Sequence, residues 1–127
     1  MYVGTDADKL QLEAAHANVC SAGVGGRVAL MQADATHLPL ADGSVDAIVT
    51  DMPFGKKHAK RSSRTLYPRV FAECKRVLRP GGALVVLTTL KSLVHRIVSA
   101  DPAWIPGRCI QMNLGGLKPY AHTIERA

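Results

Sequence analysis

The sequence predicts an α/β fold with a mostly parallel sheet that closes in a C-terminal antiparallel hairpin. Three observations support this prediction. Short apolar runs rich in β-branched residues alternate with helical periodicity, as in parallel strands joined by crossovers. Residues 83–88 are apolar without interruption, which is typical of a central parallel strand covered on both faces. Two final strand segments flank Gly115 and Gly116, a pair suited to a tight hairpin turn.

The predicted elements come in a regular order. They are a strand at residues 2–5, a helix at 7–22, strands at 27–32 and 45–50, a helix at 66–78, a strand at 83–88, a helix at 91–99, and strands at 104–114 and 117–125. The first helix ends at a glycine cluster, and its predicted inner face is Leu10, Ala14, Ala17 and Cys20.

The second helix has a clearer apolar face at helical spacing, followed by a glycine-rich stop. Its predicted inner residues are Val70, Phe71, Cys74, Val77 and Leu78. The segment Arg79-Pro80-Gly81-Gly82 is expected to end this helix before the next strand begins. The strand at residues 45–50 is apolar and β-branched, so we predict that it is buried.

Size and composition predict one domain. The chain has 127 residues, of which 47% are hydrophobic and 20% charged, which is typical of a globular protein. No apolar run approaches the length needed to span a bilayer, and no signal-peptide pattern opens the chain. Cys20, Cys74 and Cys109 are odd in number and widely spaced, which predicts free thiols in a reducing compartment. We therefore expect a cytoplasmic protein without a membrane partner, with the nucleus as the alternative.

The most informative residues follow the strand at 45–50. They are Asp51, Met52, Pro53 and Phe54. Ligands bind at the carboxyl ends of strands in open α/β sheets. A carboxylate there accepts hydrogen bonds from an amino group, proline stiffens the turn, and an aromatic ring stacks on a planar base. The alternative is that these residues have no functional role and form an ordinary turn after the strand, because Asp and Pro are common in turns.

Basic residues are concentrated directly after this motif. The predicted RNA-binding set is Lys56, Lys57, Lys60, Arg61 and Arg64. The net charge of +6 permits a polyanionic partner. Cations beside a pocket would grip phosphates and make binding sensitive to salt. The alternative is a solvated loop and first helical turn.

Taken in order, these residues resemble a Rossmann-like methyltransferase that uses S-adenosylmethionine. Asp51-Met52-Pro53-Phe54-Gly55-Lys56 is similar to the D-(L/M/I)-P-F-G-(K/R) signature of the THUMP-associated RNA guanine-N2 methyltransferases. The segment from Asn113 to Leu117 resembles the N-x-G-G-L turn of their closing hairpin, and Leu78 to Gly82 resembles an L-x-P-G-G turn.

The resemblance implies a role for each matching residue. Asp6, after the first strand, corresponds to the carboxylate that binds the cofactor ribose. Asp34 and Ala35 correspond to the position that meets the adenine ring of S-adenosylmethionine. Asp51 and the carbonyl of Met52 would accept hydrogen bonds from the guanine amino group of tRNA or another structured RNA, and Phe54 would stack on the base.

The resemblance also has a gap. The family's first strand, its glycine-rich loop and its THUMP module are not found in this sequence, so residues 1–127 are expected to be a partial catalytic domain that is inactive alone. In related eukaryotic enzymes a small zinc-binding activator pairs with the sheet edge, which corresponds here to residues 27–31.

Other readings of the sequence remain open. The motif is also used on adenine N6, cytosine N4 and glutamine amides, although the basic run favours nucleic acid. The chain could also be a non-catalytic remnant or an RNA-binding module. No metal is predicted, because the histidines lack ligand spacing; they are His16, His37, His58, His95 and His122.

Overall fold

The computed structural model describes residues 1–53 and 60–127, with side chains in the second range from Ser62 onward. The chain divides into two compact units, Met1–Pro39 and Leu40–Ala127. The elements are β1 Tyr2–Asp6, α1 Lys9–Ser21, β2 Val28–Gln32, β3 Val45–Asp51, α2 Lys60–Val77, β4 Leu78–Thr88, α3 Lys91–Ala100, β5 Trp104–Gln111 and β6 Tyr120–Arg126. Every predicted element is present, with shifted boundaries.

The first unit is a β–α–β arrangement. Strands β1 and β2 pair in parallel, from Tyr2 opposite Val28 to Asp6 opposite Gln32, and α1 makes the connection between them. The helix begins after Asp8, whose side chain accepts a hydrogen bond from the backbone N–H of Leu10 at 2.8 Å. Such a cap satisfies one of the otherwise unpaired N–H groups of the first turn.

The predicted inner face of α1 was wrong. None of its four residues is buried, and Leu10 is 71% exposed. The half-buried residues form a different set at helical spacing, Leu12, Ala15 and Val19. The periodicity of α1 fits both sets, so helical spacing alone did not identify the inner face.

The second unit contains a four-stranded sheet with the order β3-β4-β6-β5. Strands β3 and β4 are parallel, whereas β6 runs antiparallel to both β4 and β5. The predicted closing hairpin is therefore confirmed. Its turn brings Leu114 and Leu117 together through two backbone hydrogen bonds of 2.9 and 3.1 Å. Gly115 and Gly116 have φ values of +56° and +89°, which side-chain-bearing residues rarely adopt.

Strand β3 is less buried than its composition predicts. Ile48 packs against the core, but Val49 is 81% exposed. Within the described residues β3 pairs only with β4 and so forms one edge of its sheet. Apolar composition indicates that a strand can be covered on both faces, and it does not say which neighbours cover it.

Residues 79–82 also differ from the prediction. They do not lie between a helix and a later strand, because α2 ends at Val77 and β4 begins at Leu78. They form an irregularity within the strand pairing, which moves from Val45–Leu78 to Ala47–Ala83. Arg79 closes it by donating from Nε to the Asp46 carboxylate at 2.7 Å.

The core of the second unit lies between the sheet and the helices α2 and α3. All five predicted inner residues of the second helical segment, including Phe71, are buried. The ring of Phe71 meets Trp104 edge to face, with the ring centroids 5.9 Å apart. On β4, Leu84 and Val86 are buried while Val85 between them is half-buried. Met52, in the motif after β3, belongs to the same buried cluster.

Close packing at Gly82 generates a stability prediction. A Cβ there would lie 2.8 Å from the Arg79 carbonyl oxygen and 3.1 Å from that of Asp46. Gly82→Ala should therefore lower the free energy of unfolding by about 1–3 kcal/mol, the usual effect of overpacking. Urea denaturation measures this change. Gly25→Ala is the control, since a Cβ at Gly25 meets nothing within 4 Å, and equal losses in both variants would contradict the packing argument.

Candidate active site

The carboxylate of Asp51 is exposed at the carboxyl end of β3, where the sequence placed it. Asp51 is the last residue of the strand and lies opposite Leu87 of β4. Among the described residues its side chain has no hydrogen-bond partner. The acidic group is therefore available to a ligand and is not used to cap or brace the local fold.

The next two residues are held firmly by the core. The backbone N–H of Met52 donates to the carbonyl of Leu87 at 3.0 Å, which extends the strand pairing by one residue. The side chain of Met52 is buried, 3% exposed. The carbonyl of Pro53 accepts a hydrogen bond from the Tyr67 hydroxyl at 3.0 Å. The chain thus leaves the strand along a fixed path, and Asp51 is presented from a rigid segment.

The Tyr67 hydroxyl also lies 2.7 Å from the Thr88 hydroxyl. Tyr67 has one proton, which it donates to the Pro53 carbonyl, so Thr88 must donate to Tyr67. Thr88 Oγ1 in turn accepts the backbone N–H of Leu90 at 3.0 Å. We call this series of hydrogen bonds, from Leu90 through Thr88 and Tyr67 to Pro53, the hydroxyl relay. It joins the motif after β3 to the end of β4 and the start of α3.

Neither relay side chain was predicted from the sequence. Tyr67 and Thr88 are both fully buried, at 0% exposure. Burial raises the pKa of the Tyr67 hydroxyl, the hydrogen bond with Thr88 opposes the shift, and the charge of Asp51 adds to it. The tyrosine therefore stays protonated and remains a donor.

The first unit brings two predicted cofactor residues to one end of its sheet. Asp6 ends β1 and pairs with Gln32, which lies two residues before Asp34. One carboxylate oxygen of Asp6 accepts the N–H of Asp8 at 2.8 Å. Asp34 Oδ1 accepts both the N–H and the hydroxyl of Thr36, at 2.8 and 2.7 Å. These contacts fix the orientation of both carboxylates.

Ala35 is exposed in the turn that these bonds create, so its backbone is accessible. A strand-end carboxylate suits a ribose hydroxyl donor. Apart from the Asp8 contact, the described residues place no partner on the Asp6 side chain. The geometry of the first unit is therefore compatible with the predicted roles of Asp6, Asp34 and Ala35, which stay predictions.

Much of the predicted RNA-contacting set lies outside the described residues. Phe54, Lys56 and Lys57 fall there, and the side chains of Lys60 and Arg61, the first residues of α2, are not described either. Arg64, one turn further along α2, is exposed. It lines a groove of about 480 Å³ between α2 and α3.

The described residues contain no group of three or more His, Cys, Asp or Glu side chains arranged to hold a metal ion. In the same part of the chain, no helix is both long and apolar enough to cross a membrane.

The chain matches a known family of methyltransferase domains. The sequence profile of UPF0020, described as the RMKL-like methyltransferase domain, matches residues 1–119. The chain belongs to the UPF0020 family. This confirms the resemblance to methyltransferases that the strand-end residues indicated.

Relatives with named activities cover the same region. The tRNA (guanine(6)-N(2))-methyltransferase THUMP3 of Bos taurus is 40% identical over 99 residues, which are 76% of this chain and 20% of that protein. The U6 snRNA (guanine-N(2))-methyltransferase THUMPD2 of Bos taurus is 41% identical over 86 residues, 68% of this chain and 17% of that protein. The chain spans about a fifth of the length of these relatives.

Solved structures confirm the predicted Rossmann-like methyltransferase fold. TrmN from Thermus thermophilus superimposes with a TM-score of 0.85 and 25% identity, covering 98% of this chain and 36% of that one. A SAM-dependent methyltransferase from Aquifex aeolicus has a TM-score of 0.74 at 16% identity, covering 98% of this chain and 68% of that one. The latter likeness concerns the fold alone.

The hydroxyl relay of this UPF0020 domain can be tested by removing one oxygen. Tyr67→Phe leaves the Pro53 carbonyl and the Thr88 hydroxyl without their buried partner. We expect the free energy of unfolding to fall by about 1–3 kcal/mol in urea denaturation. Tyr120→Phe is the control, because among the described residues the Tyr120 hydroxyl has one long hydrogen bond, which it accepts from exposed Gln111 at 3.3 Å. A Tyr67→Phe variant as stable as this control would show that the relay contributes nothing.

Proposed function

We propose that this chain is part of a larger enzyme that transfers a methyl group from S-adenosylmethionine to the N2 amino group of guanine in tRNA or another structured RNA. The observation that carries the proposal is the exposed carboxylate of Asp51 at the end of β3, which has no hydrogen-bond partner in the part of the chain that the structure describes. The relatives THUMP3 and THUMPD2, named as guanine-N2 methyltransferases of RNA, support the choice of substrate.

In the proposed mechanism the protein orients the amino group. Asp51 accepts one N–H of the guanine amino group, and the carbonyl of Met52 accepts the other. Phe54 stacks on the base, which must leave its helix or come from a single-stranded region. These contacts aim the nitrogen electron pair and leave little rotational freedom, so positioning supplies much of the rate.

Cofactor binding is assigned to the first unit. Asp6 would accept from the ribose hydroxyls, and Asp34 with the backbone of Ala35 would meet the adenine. When bound, S-adenosylmethionine would supply an electrophilic methyl group on a sulfonium. The carboxylate of Asp51, which would accept a hydrogen bond from the amino group, would also be placed to receive the proton that the amino group loses.

The protein partner we propose is a small zinc-binding activator that extends the sheet of the first unit. Among the described strands, β2 pairs only with β1, so its outer edge is open. An open edge presents unpaired backbone groups that another chain can pair with. We propose a cytoplasmic location for the complex, with the nucleus as the alternative.

Asp51→Ala in the complete enzyme is the decisive variant. Loss of the hydrogen bond at the reacting nitrogen should raise the barrier by about 3–5 kcal/mol, or roughly a thousandfold in rate. Phe54→Ala should raise it by only about 1–3 kcal/mol, since stacking alone is lost. The measurement is single-turnover methylation of guanine in a structured RNA, with N2-methylguanosine as the product.

Asp46→Ala is the matched control, because Asp46 is an exposed acid on the same strand and pairs with Arg79. It should retain near-normal methyl transfer. If Asp51→Ala keeps more than a tenth of the activity, Asp51 is not the orienting acid. Product identified as N6-methyladenosine would point to the adenine alternative. A complete protein that binds RNA but transfers no methyl group would point to a binding module.

The proposed phosphate contacts have a separate test. Each neutralised phosphate contributes about one unit to the salt slope of RNA binding. Replacing Lys56, Lys57, Lys60, Arg61 or Arg64 by Ala should therefore weaken RNA binding with little sequence preference and lower the slope by about one. Arg27→Ala, which removes an exposed cation from the first unit, is the control. Unchanged slopes in all five variants would remove these residues from the interface.

A further inference from the structure

A small cleft in the second unit lies on the face of α3 that packs against β5 and β6. Its volume is about 120 Å³. On the helix side it is lined by Lys91, Val94, His95 and Val98, which share one face at helical spacing. On the strand side it is bounded by residues 106–109 of β5 and 122–124 of β6.

The cleft contains a buried polar atom without a partner. His122 is only 8% exposed, and its Nε2 makes no hydrogen bond with any described residue. A buried polar atom left unpaired destabilises a protein, so such an atom calls for an explanation, and an unobserved ligand is one. Since Nε2 can donate when the ring carries its proton there, the missing partner can be an acceptor.

The charges around His122 indicate which acceptor fits. Lys91, His95 and Arg108 line the cleft, and no described acidic side chain does. Neither Lys91 nor Arg108 forms an ion pair with a described residue. The ammonium of Lys91 lies 4.8 Å from the centroid of the Tyr120 ring, which holds it at the cleft without neutralising it. This arrangement attracts an anion more strongly than a neutral group.

The pairing of β5 and β6 is irregular beside the cleft. Pairing between β5 and β6 shifts from Pro106–Ile124 to Cys109–His122, so one extra residue is accommodated on β5. Irregularities of this kind commonly redirect a side chain toward a site. Here the irregular segment contains Arg108, the one guanidinium among the described residues that line the cleft.

The cleft also has a suitable size and lies apart from Asp51. Its volume is well above the roughly 10–15 Å³ that one water needs, so a small oxyanion can enter. Asp51 pairs with Leu87, whereas His122 pairs with the adjacent Val86, so their side chains project from opposite faces of the sheet.

We propose that the cleft formed by Lys91, His95, Arg108 and His122 is an oxyanion site for a phosphate group, separate from Asp51 and its neighbours. If the chain acts on RNA as proposed above, a backbone phosphodiester of the RNA is its source, and this clause alone rests on the proposed function. Free inorganic phosphate is the other source of the same chemistry. Arg108 and Lys91 supply charge, and His122 supplies a directed hydrogen bond.

The state of His122 gives the site a measurable signature. Burial lowers the pKa of His122, and the nearby charges of Lys91 and His95 lower it further. Without an anion, the native state therefore binds fewer protons here than the unfolded chain does. The stability associated with the neutral ring is present above the unfolded pKa, near 6.5, and is lost as the pH falls below it. A bound anion favours the imidazolium and should raise the pKa.

The test follows the imidazole C–H signals of the complete protein by NMR while sulfate is added at constant ionic strength. Sulfate is a suitable probe because its charge does not change between pH 5.5 and 7.5, about one unit either side of the usual histidine pKa. We expect a saturable shift at His122, a raised pKa for this ring, and tighter sulfate binding at the lower pH. Inorganic phosphate at a single pH should give the same saturable shift.

Two variants keep the test decisive. Arg108→Gln changes an exposed side chain and should weaken sulfate binding about tenfold, the effect of losing one charged hydrogen bond. Arg27→Gln removes one exposed positive charge elsewhere and should leave the binding unchanged. His122→Gln assigns the signal. Equal small shifts in all histidines, or a response that Arg108→Gln does not weaken, would overturn the proposal.

A short single-stranded RNA then distinguishes the two sources. If the RNA displaces sulfate from His122 in the wild-type protein, the backbone phosphodiester is the ligand. If sulfate binds at His122 and RNA does not displace it, the RNA source is rejected and free phosphate remains. Asp51→Ala should bind sulfate normally. A failure of the proposed methyl transfer is thereby separated from a failure of the oxyanion site.

Discussion

The hydroxyl of Tyr67 is the contact on which the candidate active site depends. It joins three places that are distant in sequence: the exit of β3, the end of β4 and the start of α3. Because the Pro53 carbonyl can only accept and the Leu90 N–H can only donate, each proton in the relay has one possible position. A defined proton order in a buried network favours a single backbone arrangement. Asp51 can therefore be exposed to solvent and still be held in a fixed direction.

The relay depends on contacts between residues that are far apart in the sequence. The sequence pattern predicted Asp51 at a strand end, and the structure confirms this position. A β-branched run followed by Asp and Pro is a strong local signal for the end of a strand. Tyr67 gave no such signal, since a tyrosine within a helix is usually a packing residue. Its role arises from Thr88, which lies 21 positions further along the chain, and single-sequence periodicity carries no information about such pairs.

The errors of prediction have related causes. Helical spacing allowed two inner faces for α1, and the sheet of the first unit half-buries the one with Leu12 and Val19. Val49 is apolar in an apolar strand, yet exposure depends on which neighbours the strand has. Gly81 and Gly82 were predicted to end a helix, but they lie at an irregularity inside β4, because the helix ends earlier and the strand begins at Leu78. Local chemistry predicted the elements and the hairpin, and long-range pairing determined the rest.

Some cations of the second unit form ion pairs within the fold, whereas others have no ion-pair partner among the described residues. Lys75 pairs with Asp101 and Arg79 with Asp46, and each pair ties separate elements of the second unit together. Such partly exposed pairs add little stability individually, but they commit those cations to the fold. Lys91 and Arg108 have no such partner among the described residues and line the cleft that holds the unpaired His122.

Net charge alone would not have separated these groups. A strongly basic composition is consistent with a diffuse attraction to RNA, in which every cation contributes and none is special. The structure favours a more specific arrangement, because the buried Nε2 of His122 has no hydrogen-bond partner among the described residues and the cations beside it would attract an anion that could supply one. Asp51 and His122 belong to one sheet, but the register places their side chains on opposite faces, since Asp51 pairs with Leu87 whereas His122 pairs with the adjacent Val86. The cleft around His122 is therefore a place for an anion that is independent of any contact made at Asp51.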